Sequence, residues 1–518
     1  MNSGTKLAPV LNMKRTIPSV SPSEKEASKI NYHENKVEQS KATIGHLRQL
    51  DEDEVLFSKS ETKRLRQEHV GPNVAIFFKE DPLMIVRGKG QYLYDENENE
   101  YLDCNSNVNH VGHSHPYVAE AVYKQMLTLN VNSRFLNDKH SMYAKRLTSK
   151  FPEKLKLCYF ANSGSEAIDL AVQMARAYHK GARQKVLCLE MAYHGHLETT
   201  MRISDYKKKN GKLPYGFADL GKQDWVKVVP MPDPVRGKFA HIKDEAEQCD
   251  AYLKDLAEVI ESEKDENGVC SVAAFIAESF PSCAGQIIFP KNYLKRVFEL
   301  LHKEDILCIA DEVQTGFGRI GTHFWAFEMH EVVPDMVSVG KPIANGYPLS
   351  ALVVTSEVAT AFCAGKRTYF NTFGGAPVSM AAGLAVLDVI ENEKLQQHAL
   401  EVGTYLKGKL EELKSKHWMI ADVRGQGLFV GFELIRNKDT LEPGTEEADE
   451  LQMRMMKEER VLINLDGKFN SVIKFKPPMC FSKKDADTVY KAADRILGEI
   501  EASLESNEEH AKERGNSS

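Results

Sequence analysis

Residues 156–180 read KLCYFANSGSEAIDLAVQMARAYHK, and the fold follows from how this stretch changes period. A strand-like run from Lys156 to Ala161 breaks at Asn162-Ser163-Gly164-Ser165, and a helical pattern begins at once, from about Glu166 to Lys180. A strand that feeds a helix through a short turn is the repeating unit of a parallel sheet. Further apolar runs at 185–189, 273–278, 306–310 and 336–339 alternate with helix-like stretches. The pattern predicts an α/β fold whose large domain has a mostly parallel sheet with helices on both faces.

From about Asn392 the pattern changes to long charged amphipathic helices at 401–416, 448–460 and 484–504, interleaved with strand candidates at 428–434 and 472–475. It predicts a smaller α+β domain near the C-terminus. The alternating residues within 83–104 read as a hairpin that joins it. The expected boundaries are a polar tail over 1–58, an N-terminal segment over 59–122 packing with the small domain, a large domain over 123–389, the small domain over 390–503 and a fraying tail over 504–518.

The 518 residues are 42% hydrophobic and 27% charged with a net charge of −7, an ordinary globular balance. No basic stripe offers a nucleic-acid footprint, and no apolar run reaches the roughly 18 to 20 residues of a membrane span. Partners are therefore expected among small molecules and protein. Nine cysteines are scattered without a CxxC pair, so they read as reduced thiols, with no metal site and no disulfide framework. Lys6, Lys14 and Arg15 precede the first acid, Glu24, among Ser and Thr. Such a leader has two readings, a mitochondrial transit peptide or a disordered extension of a cytoplasmic protein.

In open α/β sheets ligands gather beyond the carboxyl ends of the strands, and three of these ends carry unusual residues. At Asn162–Glu166 free backbone N–H groups, the Ser165 hydroxyl and the bare Gly164 form a phosphate cradle, although Ser163 or Ser165 would also serve as a plain helix cap. Asp311 ends the run ILCIAD, where burial of an acid demands a cationic or hydrogen-bonding partner. Lys341 ends the run MVSVGK, and a buried lysine is the amine of Schiff-base chemistry. Together these are the parts that hold and activate pyridoxal phosphate (PLP).

The segments NSGSEAIDLAVQMAR, AYHGH, DEVQTGFGR, VSVGKPIANGYPLSALV and NTFGGAPVSMAAGLAVLDVI resemble the class III, ornithine-type PLP-dependent aminotransferases, over about residues 60 to 500. The resemblance implies PLP-dependent transferase fold type I, with Lys341 forming the Schiff base and Asp311 pairing with the ring nitrogen. It further implies that Gly164 and Ser165 hold the phosphate and that Tyr193 stacks on the ring with Val313 on the opposite face. Gln314 would approach the ring oxygen, and His194 and Glu278 would complete the cofactor site. Thr372 would reach the phosphate of a neighbouring subunit, so the resemblance implies a homodimer with shared sites, or a tetramer of such dimers.

After Glu278 the chain departs from the common Glu-Pro-Val-Gln-Gly of the family and reads Ser279-Phe280-Pro281-Ser282-Cys283-Ala284-Gly285-Gln286. With Arg64, His69-Val70-Gly71-Pro72, Asn132–Leu136, His323-Phe324-Trp325 and Lys474–Phe481, this looks like the branch containing ethanolamine-phosphate and 5-phosphohydroxy-L-lysine phospho-lyases. That branch is often labelled alanine-glyoxylate aminotransferase-like. The expected function is elimination of phosphate and ammonia from a phosphorylated amine to give an aldehyde. An alanine-glyoxylate type transaminase is the alternative, and a catalytically silent scaffold is the reading from another class. Arg134, Arg424, Lys474 and Lys476 are candidates for a second anion site, since phosphate favours arginine forks or clustered lysine. Arg424 also matches the carboxylate-binding position of transaminases, and solvent-facing side chains are the plainer reading of the two lysines.

Overall fold

The computed structural model describes residues 57–132, 134–206 and 224–515, so most of the tail expected over 1–58, with its targeting alternative, lies outside the described residues. Residues 1–70 and 71–518 form separate units. The described part of the first is the helix Lys59–His69, which buries no side chain and is capped by Ser58, whose Oγ accepts from the Glu61 N–H at 3.3 Å.

The second unit begins its regular structure with a meander of β1 (Ile85–Lys89), β2 (Tyr92–Asp95) and β3 (Glu100–Asp103), one strand more than the expected hairpin. There follow β4 (Leu155–Ala161), β5 (Lys185–Leu189), β6 (Val226–Val229), β7 (Val272–Glu278), β8 (Leu307–Asp311), β9 (Met336–Val339) and β10 (Ser350–Thr355). They form one sheet in the order β4-β10-β9-β8-β7-β5-β6, parallel from β9 through β6 and antiparallel where β10 meets both its neighbours. Strand β10 is absent from the sequence reading because the chain returns to it from β9 through only a short 3₁₀ turn, Lys341–Ala344. No crossover helix marks it, and a return that short can only run antiparallel.

Both faces of the central strands β7 to β10 are buried, as the unbroken apolar runs require. On β7, Phe275 and Ala277 join the core on one face, while Ala274 and Ile276 join the core on the other with helix Gly164–Tyr178. That helix starts where the sequence places a cap: Ser163 Oγ accepts from the Glu166 N–H at 3.3 Å, and Glu166 Oε2 accepts from the Asn162 N–H at 3.1 Å.

The C-terminal region adds β11 (Ile420–Gln426), β12 (Phe429–Asn437), β13 (Glu442–Pro443), β14 (Val461–Leu462), β15 (Asn464–Asp466) and β16 (Val472–Phe475). Its sheet runs β11-β12-β16-β15, and β14 pairs in parallel with β3 at Val461–Leu102, tying the meander to this region. The final helix spans Lys483–Gly515, beyond the expected fraying point at 504, because a stretch rich in Glu, Ala, Lys and Arg suits a helix as well as a tail.

Candidate functional site

The carboxyl ends of the central strands converge as the parallel topology demands. Asp311 closes β8, Glu278 closes β7, Tyr193 and His194 follow β5, and Gly164 opens the helix after β4. Lys341 follows β9 at φ 34°, a left-handed conformation that a lysine adopts only when its surroundings impose it. A cavity of about 290 Å³ lies among them, and Gly164, Ser165, Tyr193, His194, Glu278, Asp311, Val313, Gln314 and Lys341 all line it.

Asp311, 4% exposed, is held by three donors. Its Oδ1 accepts from the Val313 N–H at 3.1 Å and from Ser338 Oγ at 3.3 Å, and its Oδ2 lies 2.8 Å from His194 Nδ1. Because the carboxylate can only accept, His194 carries its proton on Nδ1. Among the described residues His194 Nε2 has no partner, and Glu278 Oε1 has none either, although both are buried. Glu278 Oε2 accepts from the Ser282 N–H at 3.1 Å; burial, reinforced by the charge of Asp311, pushes its carboxyl up to about 7. Burial likewise pushes the Tyr193 phenol up to about 12. A side chain on Gly164 would bring its Cβ within 2.9 Å of Val313, and one on Gly195, at φ 123°, would reach 2.3 Å from Ser165 Oγ. Glycine at these two positions lets the turn pack closely against Val313 and Ser165.

A second cavity of about 570 Å³ shares Val108, Tyr193, Gln314 and Lys341 with the first. One wall is apolar, with Ile76, Phe77, Phe78 and Leu83, and another carries Cys283, Lys474 and Lys476. Both lysines are 4% exposed, which corrects the expectation of solvent-facing side chains; alternation on β16 and the following residues turns them inward. Lys474 Nζ pairs with Asp466 Oδ2, and Asp466 Oδ1 also accepts from Tyr206 Oη at 2.6 Å. Against the cost of burial, this carboxylate holds the Lys474 ammonium above its ordinary range. Lys476 Nζ donates to Gln314 Oε1 at 2.5 Å and Ser282 Oγ at 3.1 Å.

The other two anion-site candidates lie elsewhere. Arg424 is buried but lines neither cavity, and its guanidinium donates to Gly285 O at 2.7 Å, Asp422 at 3.0 Å and Glu433 at 3.1 Å. Arg134 is exposed and stacks over the Phe370 ring at 4.6 Å. Thr372 is exposed on a loop whose Asn371 Nδ2 donates to Glu166 Oε2 at 2.7 Å, and it does not line the cavity of its own chain. Residues that escaped the site prediction are Asn107, Ser282, Cys283 and Asp466. The departure after Glu278 displays Ser282 and Cys283, whereas Asn107 and Asp466 carry no local signal.

Residues 77–497 match the family model for class-III aminotransferases. The chain belongs to that family. It is 47% identical to the alanine–glyoxylate aminotransferase 2-like protein of Drosophila melanogaster, over 83% of this chain and 85% of the relative. It is 40% identical to ethanolamine-phosphate phospho-lyase homolog 1 of Caenorhabditis elegans, over 85% of this chain and 94% of the relative. Among solved structures, a phospholyase from Arthrobacter in complex with phosphoethanolamine superposes with a TM-score of 0.77 at 34% identity, covering 84% of this chain and 99% of that one. The fold is type I of the PLP-dependent enzymes, the cofactor is PLP, and the protein is a lyase or a transaminase. The bare cradle at Gly164, the fixed Asp311 carboxylate, the Lys341 amine and the buried His194 Nε2 and Glu278 Oε1, without partners among the described residues, fit that group.

Proposed function

We propose that this class-III aminotransferase family member is a phospho-lyase, releasing phosphate and ammonia from a phosphorylated primary amine such as phosphoethanolamine or 5-phosphohydroxy-L-lysine and leaving an aldehyde. The observation that carries this reading is the buried pair Lys474 and Lys476 on the wall of the cavity that Lys341 also lines. Two buried amines beside the reacting lysine suit a phosphate dianion. Arg424, the counterpart of a transaminase carboxylate fork, is committed to Glu433 and Asp422.

In this reading Lys341, Gly164, Ser165, Tyr193, His194, Glu278, Asp311, Val313 and Gln314 hold the cofactor. Bound PLP supplies an electron sink for the carbon that bears the amine. Asp311, oriented by His194, Ser338 and the Val313 N–H, keeps a ring nitrogen protonated. Lys341 removes the proton from the amine-bearing carbon as general base. Ile76, Phe77 and Phe78 give the same cavity an apolar side for the carbon chain of the substrate.

The enzyme works as a homodimer with shared sites, Thr372 of each chain reaching the phosphate of the other's cofactor. Exposed Phe135, Phe370 and Phe373 support this, since large apolar surface of that kind marks an interface. The basic, acid-poor leader supports a mitochondrial address.

The test is incubation of the holoenzyme with phosphoethanolamine or 5-phosphohydroxy-L-lysine without a keto acid. Release of phosphate with the matching aldehyde is expected. Silence relieved by adding glyoxylate or pyruvate with an amino donor would replace the lyase with the alanine–glyoxylate transaminase that the Drosophila relative's name describes.

A further inference from the structure

The two buried lysines of the second cavity differ in one respect that matters for chemistry. Lys474 has a carboxylate of its own in Asp466. Lys476 has none among the described residues: its partners, the Gln314 amide oxygen and the Ser282 hydroxyl, are neutral, and Gln314 Oε1 is further shared with Asn107 Nδ2 at 3.1 Å. The ionisable groups around it are Lys474 with Asp466, Lys341 and the Cys283 thiol; the Asp103–His113 pair, which lines the same cavity, is closed on itself at 2.8 Å. A lysine ammonium at 4% exposure with no anion is costly, so this amine lacks a countercharge until one arrives from outside.

Resting on the lyase reading, we infer that Lys476 is the acid that protonates the departing phosphate. The arriving phosphate dianion supplies the missing countercharge, and the amine takes up a proton from solvent. When the C–H bond at the amine-bearing carbon breaks, its electrons form a carbon–carbon double bond, and the neighbouring C–O bond breaks with its pair on oxygen. The Lys476 ammonium N–H gives its proton to that oxygen, so phosphate leaves as hydrogen phosphate and Lys476 returns to the free amine. With the water consumed in hydrolysis, the sum is phosphorylated amine plus water to aldehyde, ammonia and hydrogen phosphate. Burial and the nearby Lys474 charge hold the Lys476 amine well below its ordinary range, which is the condition of a ready proton donor. Lys474, locked to Asp466, binds the phosphate and keeps its proton.

The test compares leaving groups. A sulfate ester of the same amine binds as an anion but expels sulfate, which is stable without a proton. In Lys476→Gln and Lys476→Arg holoenzymes, kcat for the phosphate ester should fall about 100-fold or more, the usual weight of a general acid. Initial sulfate release should fall less than about 10-fold, so the phosphate-to-sulfate ratio collapses. Arginine keeps the charge but does not give up its proton, so Lys476→Arg should preserve KM while losing kcat. A second readout is calorimetry of inorganic phosphate binding at about pH 8.5, where phosphate is a dianion, in buffers of different ionisation heat. The wild type should take up a proton on binding, and Lys476→Gln should not. Equal losses for both esters, or no proton uptake by the wild type, would overturn the inference and leave Lys341 as the donor. A wild-type enzyme that releases no phosphate from either phosphorylated amine would overturn the lyase reading itself, and this inference with it.

Discussion

The two adjoining cavities share Lys341 and Tyr193 but solve opposite electrostatic problems. In the first the buried ionisable groups are acids: Asp311 is satisfied by three donors, and Glu278 keeps one oxygen without a partner among the described residues. In the second they are amines, one paired with Asp466 and one resting on neutral groups. The first is ready for a cationic ring nitrogen, the second for an anion. Lys341 lines both, so it stands where an acid pocket meets an amine pocket.

The largest break in this comparison is at the shared residue. Lys341→Ala should lower turnover by about 10⁴-fold or more, because nucleophile and base are lost together, while thermal unfolding of the apoprotein stays near that of the wild type. A sharper cut separates the two amines. Lys474→Met leaves Asp466 buried without its cation and should destabilise by about 3–5 kcal/mol in urea unfolding. Lys476→Met removes a buried amine that has no acid to strand, and the loss of its hydrogen bonds is offset by the relief of desolvation. Its stability should stay within about 1 kcal/mol of the wild type. Equal destabilisation by the two substitutions would contradict the different pairing on which the phosphate site rests.

The first cavity was legible in part: Gly164, Ser165, Asp311 and Lys341 follow apolar runs that announce strand ends, whereas Tyr193, His194, Glu278, Val313 and Gln314 were named only through the family resemblance. Strand alternation even separates Asp311 from Glu312: the first lines the cavity, while the second turns away, its carboxylate accepting from Ser279, Thr315 and the N–H groups of Ala326 and Phe327. The second cavity draws on residues 76–83, 103–108, 283 and 462–476, far apart in the chain, and a lysine in a short strand does not declare which way it faces. Lys474 and Lys476 could be named as candidates but not as buried, and Asp466 gave no sign at all. Arg424 is the reverse case. Its motif suggests a ligand, and its guanidinium donates to Glu433, which stands opposite Asp422, two residues away, on the neighbouring strand β12. Strand β10 was lost because its connection contains no helix.

The last effect concerns the acid of the first cavity. The Glu278 carboxyl lies at about 7 in the folded chain because burial, with the Asp311 charge, disfavours ionisation; in the unfolded chain it returns to about 4.5. A group raised in this way stabilises the fold below its unfolded value, and that contribution is lost as pH rises through the folded one. Glu278→Gln keeps an acceptor for the Ser282 N–H but cannot ionise. Between about pH 5 and 8 the cofactor-free wild type should therefore lose about 2–3 kcal/mol relative to this variant. Parallel stability profiles in thermal or urea unfolding would show that Glu278 enters the fold already charged. The first cavity would then hold two full negative charges, and its contrast with the amine pocket would be stronger than the present geometry implies.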